Sequence, residues 1–132
     1  MGLIVDTGIF IRAERKGFGS PAHALPQDEE AAVTAVTFSE LLEGIHLAVS
    51  QERARRRANF VEQLPGLLPI LPFNEQIARV HAKIRATQRQ RGKMIGAHDL
   101  IIAATAISMD WEVLTLNGAE FRQVEGLGVR DG

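Results

Sequence analysis

The chain has 132 residues, of which 45% are hydrophobic, and its formal net charge is −1 at pH 7. This length predicts one domain over residues 1–132 with a real core, and the charge balance argues against a strongly basic nucleic-acid binder. The sequence contains no cysteine, which excludes disulfides and thiolate chemistry, and it predicts no signal peptide and no membrane span, so we expect a cytoplasmic protein.

Predicted strands and helices alternate along the chain. The apolar run GLIV (2–5) predicts a buried strand, followed by a short helix over about 8–15. AAVTAV (31–36) predicts a second strand, after which Thr37 begins a helix that reaches about Ser50. The remaining predicted elements are a helix over about 51–64, a short strand at 67–72, a long helix from Asn74 to about Arg91, a helix over about 97–109, a strand at 112–116, a helical turn near 118–123 and a last strand at 127–131.

This alternation predicts an α/β fold with a central parallel sheet of four to five strands and helices on both faces. Sites in such sheets form at the carboxyl ends of the strands. Asp6 follows the first strand, Glu40 comes just after the second, and Asn117 and Glu120 come just after the fourth. Asp99 lies at the start of the helix that precedes the fourth strand.

Each of these acids also has a purely structural interpretation. Asp6 is a suitable cap for the first helix. Thr37 and Glu40 have the spacing of a capping box, in which the glutamate folds back onto the first turn. Asp99 in a first helical turn is favoured by the helix dipole.

Taken together, the acids predict a cation site. Three carboxylates that converge on one crevice repel one another, and a hard divalent cation relieves that repulsion. Oxygen ligands without cysteine or suitably spaced histidine select Mg²⁺ or Mn²⁺, and such a metal favours hydrolysis of a phosphodiester. The four histidines, His23, His46, His81 and His98, are interpreted as surface or core-edge residues. A phospho-acceptor domain using Asp6 is a weaker alternative, because no lysine follows the fourth strand.

Four segments in this order resemble the PIN-domain ribonucleases, and most closely the VapC-like toxins of toxin–antitoxin pairs. These segments, which together span the chain, are LIVDTGIFI (3–11), TFSELLEGI (37–45), IGAHDLIIAATAI (95–107) and VLTLNGAEFRQVEGLGV (113–129). The resemblance implies a PIN-like three-layer α/β/α fold. It also implies a Mg²⁺- or Mn²⁺-dependent RNA endonuclease that forms a homodimer and is neutralised by a cognate antitoxin protein.

Carried over residue by residue, the resemblance matches Asp6, Glu40 and Asp99 to the three main acids of the family. Asp6 and Asp99 would be the direct metal ligands, and Glu40 would complete the site through water. The remaining matches are Thr7, which would orient the first acid, and Thr115, which precedes the fourth position of the family site.

At the fourth position, where the family often has an acid or an asparagine shortly after a threonine, this chain departs by leaving only Asn117 and Glu120 as candidates. Asn117 has no charge, so a second metal would depend on Glu120, and a one-metal resting state is expected. This departure leaves open an alternative function, a catalytically inactive PIN-like module that binds RNA or protein.

A basic stretch next to Asp99 gives the chain a predicted RNA-binding surface. No acid occurs between Gln76 and His98, and six lysines or arginines do. The RNA-binding candidates, which would neutralise substrate phosphates beside the cleft, are Arg85, Arg89, Arg91 and Lys93. A solvated helix face is the alternative interpretation of the same residues.

Overall fold

All five strands of the protein join one sheet in which every pair is parallel. The structure, a computed structural model, describes all of residues 1–132. The strands are β1 (Gly2–Val5), β2 (Glu30–Thr34), β3 (Ile70–Leu71), β4 (Glu112–Thr115) and β5 (Val129–Asp131). Their order across the sheet is β3-β2-β1-β4-β5, which places β1 at the centre. The predicted parallel sheet is confirmed.

Helices cover both faces of this sheet. They are α1 (Thr7–Arg15), α2 (Ala35–His46), α3 (Gln51–Val61), α4 (Leu64–Leu67), α5 (Glu75–Arg91), α6 (Ala97–Met109) and α7 (Gly118–Phe121), with a 3-10 turn at Pro21–Ala24. None of these helices is both long enough and apolar enough to cross a membrane. The predicted three-layer α/β/α architecture is confirmed.

Two separate hydrophobic cores lie on the two faces of the sheet, and β1 contributes to both. Ile4 packs into the core that contains α6, whereas the next residue, Val5, packs into the core formed with α1, α2 and α3. Ala32 and Val33 of β2 divide in the same way. This alternation follows from the two-residue period of a strand. The end of β1 is therefore held from above and below.

The junction of β2 and α2 differs from the prediction. The strand ends at Thr34 and α2 begins at Ala35, so Thr34 is the N-cap and its hydroxyl accepts from the backbone N of Thr37 at 3.1 Å. Thr37 lies inside the helix, fully buried. The predicted capping box of Thr37 and Glu40 is therefore wrong, because another threonine three residues earlier occupies the capping position.

Smaller differences concern the ends of elements. Helix α2 ends at His46 rather than about Ser50, which instead caps α3, and Val49 is 85% exposed outside any helix. The predicted third strand is reduced to Ile70–Leu71, because a helical turn, α4, takes the start of its apolar run. Helix α5 agrees with the prediction: Asn74 caps its start, and Gly92 with φ 72° ends it.

Helix α6 is buried on almost every side, as its apolar sequence predicts. It packs along α5 and against β1, β2 and β4. Three alanines allow this close approach, Ala103, Ala104 and Ala106, and each is 0% exposed. A helix held this firmly fixes the position of Asp99 in its first turn.

We predict that Thr34→Ala lowers the free energy of unfolding by about 1–2 kcal/mol, because the N-terminus of α2 loses its cap. Urea unfolding followed by circular dichroism measures this change. Thr34→Ser, which keeps the hydroxyl, is the matched control and should lose much less. An unchanged stability of Thr34→Ala would contradict the observed cap.

Candidate active site

Asp6 lies at the carboxyl end of β1, where both of its carboxylate oxygens are already hydrogen-bonded. Oδ1 accepts from the backbone N of Thr7 at 2.8 Å, so Asp6 does cap α1. Oδ2 accepts from the hydroxyl of Thr115, the last residue of β4, at 2.7 Å. Thr115 is fully buried. The first residue of α1 and the last residue of β4 therefore fix the orientation of this carboxylate from two sides.

Glu40 lies in the second turn of α2 and faces the same edge of the sheet. Its Oε1 accepts from the hydroxyl of Thr7 at 2.8 Å, and its Oε2 lies 3.0 Å from Nδ1 of His98. Thr7 therefore contacts two acids, Asp6 through its backbone N and Glu40 through its side chain. The Thr7 hydroxyl, which was expected to orient Asp6, contacts Glu40 instead, and only the backbone N of Thr7 contacts Asp6.

Asp99 comes from the opposite side, in the first turn of α6, and forms a hydrogen bond with Glu120. Burial, that hydrogen bond and the charges of Asp6, Glu120 and Glu40 raise the pKa of Asp99 to about 7. The same hydrogen bond is the main reason that the pKa of Glu120 is lowered. Below a pH of about 7 Asp99 therefore tends to keep its proton, and in that form its carboxyl group can donate to Glu120.

Glu120 is held in place by two further donors. The backbone N of Gly96 donates to its Oε1 at 3.0 Å, and the side-chain Nδ2 of Asn117 donates to its Oε2 at 2.7 Å. The backbone N of Asn117 donates in turn to the Thr115 hydroxyl at 2.9 Å. Asn117 thus positions Glu120, and Glu120 supplies the fourth carboxylate of the cluster.

The cluster carries negative charge that its protein donors do not fully offset. Burial is the main cause that raises the pKa of Asp6, and the charges of Glu40 and Glu120 add to it, whereas its bonds to Thr115 and Thr7 act in the opposite direction. The charged atoms of the cluster that could bind a cation are carboxylate oxygens, the type of ligand that Mg²⁺ and Mn²⁺ prefer. Each Asp6 oxygen accepts one hydrogen bond from the protein and so keeps a second lone pair for a cation.

No three acidic or histidine side chains converge closely enough to enclose a metal ion. Magnesium does not require such a cage, since it commonly binds through one or two carboxylates and keeps several waters. The residues present therefore fit an open site, in which Asp6 and Asp99 are the candidate ligands.

His98 lies in the site, although the sequence predicts no role for it. It precedes Asp99 in the first turn of α6, and its ring contacts Glu40 across the cleft. The sequence signal was its position directly beside a predicted ligand, at the sheet edge. His98 has no metal-ligand spacing to the other histidines, so the sequence pattern does not mark it as a ligand.

The predicted RNA-binding residues lie at the carboxyl end of α5 and in the turn after it. All four, Arg85, Arg89, Arg91 and Lys93, are exposed. Arg91 pairs with Glu125 at 3.0 Å. None of the four forms an ion pair with the acids of the cluster, so their role in binding RNA stays a prediction.

Comparison with known proteins assigns the family. The family model described as "PIN domain" matches residues 3–127. A protein named ribonuclease VapC from Rickettsia bellii is 36% identical over 129 residues, which cover 98% of this chain and 95% of that protein.

Solved structures agree with this family assignment. The structure of VapBC-1 from nontypeable Haemophilus influenzae is matched with a TM-score of 0.79 at 26% identity, over 99% of this chain and 98% of the other. VapBC-5 from Mycobacterium tuberculosis, described as a member of the VapBC family of toxin-antitoxin systems, is matched with a TM-score of 0.75 at 25% identity, over 98% and 96%. The chain therefore belongs to the PIN domain family and, within it, to the VapC-type proteins.

Proposed function

We propose that the protein is a cytoplasmic Mg²⁺- or Mn²⁺-dependent endoribonuclease and the toxin of a toxin–antitoxin pair. The observation that carries this proposal is that four carboxylates, from four distant segments, lie near enough at the carboxyl edge of the sheet to influence one another's ionisation. These acids are Asp6, Glu40, Asp99 and Glu120. The relative named ribonuclease VapC supports RNA as the substrate.

Asp6 and Asp99 would hold the ion, since both are partly buried and both have a raised pKa. A bound ion would supply Lewis-acid polarisation of the phosphate and a water with a lowered pKa. Asp99 must give up its proton before it can act as a ligand, because metal ligands are deprotonated. Metal affinity should therefore rise as the pH increases through about 7.

The remaining site residues would position Asp6 and Asp99 and the water that reacts with the substrate. Thr115 and Thr7 fix the rotamer of Asp6, and Thr7 also holds Glu40. Glu40 keeps free lone pairs beside its contacts, so it can accept a hydrogen bond from a water at the cleft. His98 confines Glu40 to the cleft from the side of α6. Glu120 completes the cluster and supplies the negative charge that Asn117 lacks.

A cognate antitoxin protein and a second copy of the chain are the proposed partners. The related structures of VapBC-1 and VapBC-5 support the antitoxin. Exposed apolar side chains after α2 and on α1 offer surface for association. They include Leu47, which is 70% exposed, and Ile11.

We predict that the purified protein cleaves RNA with Mg²⁺ or Mn²⁺ and that EDTA abolishes cleavage. Asp99→Asn should lower the rate by more than about 100-fold, because it removes a metal ligand, whereas loss of an outer partner costs only 10–100-fold. Gel analysis of a labelled RNA measures the rate. Asp28→Asn, at an exposed position outside the cluster, is the matched control.

Wild-type cleavage by Asp99→Asn would refute the assignment of this carboxylate. If the wild-type protein binds RNA in EDTA and never cleaves it with either metal, the inactive PIN-like binding module is the correct function.

We predict that, without metal, the difference in stability between the wild-type protein and Asp99→Asn depends on pH. The pKa of Asp99 is raised from 3.8 to about 7 on folding, so ionisation destabilises the folded state as the pH rises from about 4 to about 7. Asp99→Asn removes this charge, so the variant should unfold at a higher urea concentration than the wild-type protein. At pH 8 its free energy of unfolding should be higher by about 1–2 kcal/mol, which is less than the full pKa shift implies because solvent screens a half-buried charge. The advantage should disappear near pH 4. Asp28→Asn, at an exposed position outside the cluster, is the matched control, and a pH-independent effect of Asp99→Asn would contradict the shift.

We predict that Thr115→Val raises the Mn²⁺ concentration for half-maximal cleavage by about 10-fold or more, because Asp6 loses an outer partner that orients it. A metal titration of the initial rate measures this. Thr105→Val is the control, since Thr105 is equally buried but its hydroxyl donates to the backbone oxygen of Ile101 within α6. Equal effects of the two variants would show that Thr115 acts through stability alone.

A further inference from the structure

A groove of about 720 Å³ lies on the outer face of the protein, apart from the four carboxylates. It is bounded by α5, by α6 and by the segment 123–125 that follows α7. Its apolar walls are formed by Val80, Ile84, Ile107 and Val124. A groove of this volume is large enough for one flat organic group with its substituents.

Unpaired cations lie along this groove. Lys83, Arg91 and Lys93 line it, and only Arg91 has an ion-pair partner, Glu125. The excess positive charge is therefore carried by the two lysines. Apolar walls with two free ammonium groups favour an occupant that combines a flat apolar surface with negative charge.

Gln88 adds a specific donor at the base of the groove. The side chain is 4% exposed, and its Oε1 accepts from the backbone N of Ile95 at 3.2 Å. Only the oxygen of an amide accepts a hydrogen bond, so this contact fixes which way the amide points. The remaining Nε2 is buried and has no acceptor. An unsatisfied buried donor costs free energy that an acceptor on an occupant would recover.

Two short segments connect this groove to the carboxylate cluster. The first leads from Lys93 in the groove to Gly96, whose backbone N donates to Glu120. The second leads from Glu120 in the cluster to Gln123 and the following groove residues. Because α6 runs back along α5 from the same turn, the groove begins near the carboxyl edge of the sheet and extends away from it.

We propose that this groove binds single-stranded RNA that continues from the scissile phosphate, as a second substrate subsite. Lys83 and Lys93 would contact phosphates, and the apolar walls would pack on the face of a base. The base edge would accept from Gln88 Nε2 once that buried side chain turns toward the groove. Single strands expose both the faces and the edges of their bases, which duplex RNA does not. The inference rests on the proposed ribonuclease function for its substrate, but RNA binding at the groove is measurable without cleavage.

The test compares two charge reversals, Lys83→Glu in the groove and Lys16→Glu at the end of α1, in the full chain with EDTA. The probe is a fluorescein-labelled, unstructured 12-nucleotide RNA, followed by anisotropy, with a trinucleotide as the short reference. Lys83→Glu should weaken 12-mer binding about tenfold and reduce the slope of log K against log salt by about 0.7 or more. Lys16→Glu should have a much smaller effect, and the trinucleotide should not distinguish the two variants.

Equal 12-mer binding by the two variants would overturn the subsite, whether or not the protein cleaves RNA. A change of sedimentation mass in Lys83→Glu alone would also overturn it, and would assign the groove to contact with a second copy of the chain. Failure of the ribonuclease proposal is a different result: no cleavage by the wild-type protein with Mg²⁺ or Mn²⁺, with the difference between Lys83→Glu and Lys16→Glu in 12-mer binding retained.

Discussion

Four carboxylates at the carboxyl edge of the sheet repel one another in surroundings poorer in water than bulk solvent. The folded chain moderates this repulsion with neutral hydroxyl and amide donors, and the pKa of Asp99 rises to about 7 beside Glu120. These measures orient the acids without neutralising them. A site built in this way keeps its affinity for a cation, because full compensation by lysine or arginine would remove the charge that attracts one.

Much of the fold follows from local patterns in the sequence. Alternating apolar runs predict the parallel sheet, and the alanine-rich stretch before Met109 predicts the buried helix α6. The β2–α2 junction was misplaced because Thr34 and Thr37 are both good capping residues, three positions apart. Which of them caps depends on the length of β2, and that length is set by pairing with β1 and β3, which local propensity does not contain.

The acids of the site were predictable for a related reason. Parallel strands end at one edge, so residues that follow them meet there. The side-chain contacts within the cluster were not predictable, since they depend on rotamers and on distances across the cleft. The contact of His98 with Glu40 and that of Asn117 with Glu120 are examples. The sequence leaves both Asn117 and Glu120 as candidates for the fourth position, because it does not show that the Asn117 amide points at Glu120.

The division of Ile4 and Val5 between two cores has a consequence for how this chain can vary in length. An insertion or deletion within β1 would exchange the faces of every side chain beyond it and move Asp6 out of register with Thr115. Connections such as residues 16–29 have no alternation of side chains between two faces to preserve, and they tolerate changes in length. The number of residues between Ile4 and Asp6 should therefore stay constant in divergent descendants of this sequence, even where their loops change in length.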